Sequence, residues 1–127
     1  MVNDFGGLLI RSFVIFLLLL IPAVHVPAAH AADKQFMLQL QNRKVVSSKS
    51  TIRVSKGDRI TLVWRSDEKG EIHLHGYDIT LTLTPNTPTI LHFDATVSGR
   101  FPITSHGFGD DHGHAHNTLL YIEVYPD

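Results

Sequence analysis

The sequence contains no cysteine. That absence removes disulfides, thiol nucleophiles, thiol redox chemistry, iron–sulfur clusters, covalent haem of the C-x-x-C-H type and thiolate zinc fingers. It also removes every metal chromophore that depends on a thiolate. Methionine is scarce, with Met1 and Met37 the two present. An excess of one charge is missing too: 11 Lys and Arg stand against 12 Asp and Glu, and the cations are scattered. Nucleic acid and anionic membrane surfaces are therefore not expected as partners. No G-x-S-x-G elbow, P-loop or dinucleotide fingerprint occurs. Ser105-His106 near Asp110 and Asp111 does not make a hydrolytic set, because adjacent residues of an extended chain point apart. No internal repeat, linker or amphipathic helical pattern is found.

Long apolar runs are also absent, apart from one at the N-terminus. There Arg11 precedes the apolar stretch Ser12 to Ala23, and Ala29-His30-Ala31 follows with small residues. This is the pattern of an export signal with its cleavage site. The run is shorter than the roughly 20 residues of a spanning helix. The expectation is a removable leader over residues 1–31 and a single domain over 32–127, periplasmic and without membrane attachment after cleavage. An uncleaved anchor is the alternative. A domain of this size without disulfides must stand on its apolar core alone.

What is present reads as short strands. In Phe36 to Gln41, Phe36, Leu38 and Leu40 alternate with Met37, Gln39 and Gln41. This period of two marks a half-buried strand. Thr51 to Val54 alternates likewise, and Lys56-Gly57-Asp58 is a turn. Arg59 to Trp64 puts Ile60, Leu62 and Trp64 on one face, and Asp67 to Gly70 turns the chain again. Ile72 to His75 and Ile79 to Leu83 follow, then a break at Pro85 to Pro88. Thr89 to Phe93, Arg100 to Ile103 and Thr118 to Val124 complete the series. About seven or eight strands at short, regular spacing predict an all-β sandwich or barrel.

Histidine is the unusual entry in the composition. Nine are present, and seven lie beyond the expected leader. Six of those fall in two groups: His73 with His75, and His106 with His112, His114 and His116. His73 and His75 at i and i+2 of a strand share a face, about 7 Å apart along it. Ile72 and Leu74 then point into the core. Two imidazoles on one face can ligate one ion if a third donor arrives from elsewhere. The segment Ser105 to Asn117, with four His, three Gly and two Asp, could supply it. A loop of that length in a small domain is usually functional or disordered. Alternating histidines in His112-Gly113-His114-Ala115-His116 are a compositional metal signal. His106, beside an anchored strand, ranks first among the four. Asp110 and Asp111 could add carboxylate oxygens or hydrogen bonds to imidazole. Each group also has a bland reading, as exposed polar residues that bind nothing. His92 stands alone and reads as a strand-surface residue.

The order of these segments resembles the cupredoxin family, above all its small periplasmic members. Val54-Ser55-Lys56-Gly57-Asp58-Arg59-Ile60-Thr61 is similar to the family's strand–turn–strand entry. Ile72-His73-Leu74-His75-Gly76-Tyr77-Asp78 resembles the segment that carries its first histidine ligand. Gly99 to Ser105 resembles the strand that delivers its cysteine, and Leu119 to Val124 the closing strand. The resemblance implies a cupredoxin-like Greek-key β-sandwich. It also implies that ligands come from His73 or His75 and the segment after Ser105. The chain departs from the pattern where Ser105 takes the place of the ligand cysteine, and the loop lacks the axial methionine. Electron transfer at a blue centre therefore does not carry over.

Neutral imidazole suits copper, zinc or nickel, and the Irving–Williams order favours copper. The expected function is periplasmic copper binding, buffering or delivery through His73, His75, His106, His112, His114 and His116, with a copper-transport or copper-receiving protein as partner. Two alternatives stay open. One is a redox or enzyme-like role at a thiolate-free copper site. The other is an immunoglobulin-like interaction domain with an incidental His-rich loop.

Overall fold

The computed structural model describes residues 31–108 and 117–126. They form nine strands: β1 (Asp33–Gln41), β2 (Lys44–Val45), β3 (Thr51–Ser55), β4 (Arg59–Ser66), β5 (Gly70–Leu74), β6 (Ile79–Leu83), β7 (Thr89–Asp94), β8 (Gly99–His106) and β9 (Asn117–Tyr125). The strand beyond the expected number is β2, two residues that pair with Leu40 and Gln41 alone. No helix among the described residues is long and apolar enough to cross a membrane.

The strands make two sheets, ordered β2-β1-β4-β7 and β3-β9-β8-β5-β6. Both are mixed. β1 runs parallel to β4 and β3 parallel to β9, while the remaining pairs are antiparallel. The alternation read in the sequence is the alternation of burial. Ile60, Leu62 and Trp64 are buried on β4, and Ile72 and Leu74 on β5. They meet Leu91, Phe93, Ile103, Leu120 and Ile122 between the sheets. A buried side chain of this size contributes about 1.5–3 kcal/mol relative to exposure, so this layer holds the sandwich without cross-links.

The sheet that carries His73 and His106 is β3-β9-β8-β5-β6. β5 lies between β8 and β6, with Ile72 opposite Ser105 and His73 opposite Thr104. Ile72 is buried in the core, so Ser105 faces inward too, and it is buried. His73 and Thr104 therefore share the other face of the sheet. The β5–β6 hairpin closes through residues 75–78, where Gly76 has φ +81° and Asp78 φ 54°. A side chain at Gly76 would also collide with the Phe101 ring. Tyr77 pins this hairpin. Its ring lies 4.9 Å from Phe93 and 5.0 Å from Phe101, and its hydroxyl donates to the Val97 carbonyl at 3.0 Å.

Candidate metal centre

Three histidines converge on the outer face of the β8–β5 pair. His73 is on β5, His75 is the first residue after it, and His106 is the last residue of β8. One ring nitrogen from each lies within 4.8 Å of the others. The His73 and His75 rings are 4.3 Å apart, centroid to centroid, and those of His73 and His106 are 6.3 Å apart. All three residues are half-buried. The backbone explains the convergence. The His75 amide donates to the Pro102 carbonyl at 3.0 Å, which keeps the turn against β8 after the strand has ended.

Thr104 lies at the middle of the cluster and is buried. Its Oγ1 is 2.9 Å from His75 Nε2 and 3.1 Å from His106 Nε2. A hydroxyl has one proton, so it donates to one neutral imidazole and accepts the N–H of the other. His73 Nε2 is 3.2 Å from Asp78 Oδ1. A carboxylate on one nitrogen of a ring fixes its orientation. The positive φ of Asp78 belongs to the turn that returns this carboxylate to β5.

His73, His75 and His106 come together, whereas His112, His114, His116, Asp110 and Asp111 lie outside the described residues. Ser105 and His106, read as the start of a loop, are the end of β8. His92 is apart from the cluster on β7, with its Nδ1 2.9 Å from the Thr61 hydroxyl, as expected of a strand-surface residue. Ser105 Oγ donates to the Asn117 carbonyl at 3.4 Å, on the opposite face of β8 from the imidazoles. Thr104 was missed by sequence reasoning. Its spacing of two from His106 was a usable signal, but only once β8 is known to continue through His106.

No protein-family model matches the sequence, and no curated protein does. Solved structures do match. A copper-binding protein, determined in the apo form by NMR, is similar with a TM-score of 0.56 at 10% identity, over 75% of this chain and 90% of that one. The blue copper oxidase from Nitrosomonas europaea matches with a TM-score of 0.55 at 16% identity, over 74% of this chain and 44% of the oxidase. The copper nitrite reductase of the same organism gives a TM-score of 0.55 at 16% identity, over 74% and 42%. The chain thus spans less than half of either enzyme. At these identities the likeness is one of fold: this is an all-β, cupredoxin-like sandwich.

Proposed function

We propose that this chain is an exported copper-binding protein. It holds one copper ion between His73, His75 and His106 and serves copper binding, buffering or delivery in the periplasm, after a leader over residues 1–31 is removed from the domain over 32–127. The observation that carries this reading is the convergence of three imidazole nitrogens to within 4.8 Å. Metal–imidazole bonds are about 2.0–2.1 Å, so rotation of side chains is enough to bring three nitrogens that close around one ion. The donor set is nitrogen only, which suits copper and also zinc or nickel, with copper highest in the affinity order. Copper in the names of the structural neighbours supports the same choice. Three protein ligands leave a coordination position open, which suits handing the ion to or from a copper-transport or copper-receiving protein.

Titration of the exported protein with Cu(II) tests this. One ion per chain is expected. Replacing His73 and His75 together with Ala should weaken binding at least about a hundredfold, equivalent to about 2.7 kcal/mol. The strands should survive, because both side chains lie on the face opposite Ile72 and Leu74. Near-normal affinity in that variant would transfer the site to the histidines of residues 109–116 and refute the cluster. Stoichiometric binding would also exclude a pure interaction domain.

A further inference from the structure

The buried carboxylate of Asp58 accepts a hydrogen bond from the backbone nitrogen of Ala32, just before β1. Asp58 is 2% exposed, in the Lys-Gly-Asp turn before β4. Its Oδ2 takes the Ser55 amide at 2.7 Å and Lys34 Nζ at 2.7 Å. Its Oδ1 takes the backbone nitrogen of Ala32 at 3.1 Å. The Ala32 carbonyl accepts the Arg59 amide at 2.9 Å, so Ala32 is held on both sides. Ala31, one residue earlier, is exposed. The boundary between the exposed and the held residue coincides with the end of Ala29-His30-Ala31.

We propose that removal of the leader after Ala31 converts the Ala32 nitrogen into an α-ammonium that forms a buried ion pair with Asp58, so that processing itself stabilises the domain. This rests on the reading of residues 1–31 as a removable leader. Hydrolysis adds one water across the Ala31–Ala32 bond. The hydroxyl goes to the Ala31 carbonyl carbon; the water hydrogen and the proton of the resulting acid go to the Ala32 nitrogen. Ala31 leaves as a carboxylate and Ala32 becomes an ammonium. In the full chain Oδ1 holds a neutral amide donor. After cleavage the donor to Oδ1, the Ala32 nitrogen, carries a full positive charge. Charge-assisted hydrogen bonds are roughly twice as strong as neutral ones, and screening by salt is weak at a buried carboxylate. Lys34 does not saturate the carboxylate, since it occupies the other oxygen. Asp33 and Arg59, which flank this region, are paired with each other at 2.6 Å.

The test uses protein expressed as the full chain and recovered after export. N-terminal sequencing should begin at Ala32. Selective acetylation of the α-amine, at a pH where lysines stay protonated, should lower the melting temperature by several degrees, and Asp58→Asn should abolish that difference. If Asp58→Asn does not fold, the α-amine is titrated by NMR in the unsubstituted protein. A value above the usual range of about 7.7–8.0 supports the pair, and an ordinary value overturns it. A chain that keeps its leader overturns the leader reading, and a processed chain that begins at another residue near Ala32 overturns the ion pair alone. A chain that begins at Ala32 but melts identically when acetylated overturns the ion pair alone.

Discussion

At Thr104 a single hydroxyl faces two imidazole nitrogens, at 2.9 and 3.1 Å, and so restrains both rings. Each such hydrogen bond contributes about 0.5–1.5 kcal/mol net. Replacement by Val keeps the branched shape that a strand favours and deletes both contacts. The expected result for Thr104→Val is a folded protein whose copper affinity, measured by titration, falls about tenfold, or about 1.4 kcal/mol. Equal affinity would show that the hydroxyl does not orient the rings. Asp78 acts on the third ring from a fully different position, a turn residue with positive φ whose side chain is otherwise in water. On the proposed copper reading the ligand imidazoles must be unprotonated, so copper affinity is expected to fall in acid.

On β8, successive residues serve different layers. Ile103 and Ser105 face the core, while Thr104 and His106 face the imidazole cluster; the register with β9 shifts between Ile103 and Thr104. Ser105 holds the position that resembles the family's ligand cysteine, yet its hydroxyl is turned to the Asn117 carbonyl. Reintroducing the thiol therefore should not build a thiolate copper centre with the three histidines. Cu(II)-loaded Ser105→Cys should show the same weak ligand-field absorption as the unsubstituted protein. An intense visible charge-transfer band would mean that the thiolate reaches the ion and that the two faces of β8 are misassigned.

For the whole molecule, Asp58 joins the start of β1 to the turn between β3 and β4, and so ties one sheet to the other. Burial opposes its charge, but Lys34 and the Ser55 and Ala32 amides outweigh burial and hold its pKa below the ordinary 3.8. A carboxylate with a lowered folded pKa contributes stability above its unfolded value. That contribution shrinks as pH falls below 3.8 and is gone once pH has passed the folded value. Asp58→Asn should therefore destabilise the domain at neutral pH, on the order of 2 kcal/mol, and flatten the acid limb of its stability curve. Denaturant midpoints across acid pH measure this. A variant with an unchanged acid limb would place the acid sensitivity on other carboxylates.

Period-two alternation is a local property, and it made the strands legible. Ile60, Leu62 and Trp64 declared the buried face of β4, and Ile72 with Leu74 declared which way His73 and His75 must point. Strand pairing is not local. That β5 lies against β8, and β1 and β3 run parallel to β4 and β9, follows from how the two sheets bury their common layer, which no short window contains. The cluster depends on that pairing, because it brings His106 and Thr104 beside His73 from about thirty residues away, at the spacing of neighbouring strands. The type of donor, imidazole without thiolate, was determined by composition alone. Which histidines meet, and the hydroxyl between them, were decided by the tertiary structure, since convergence is a property of faces and the sequence specifies only the alternation along each strand.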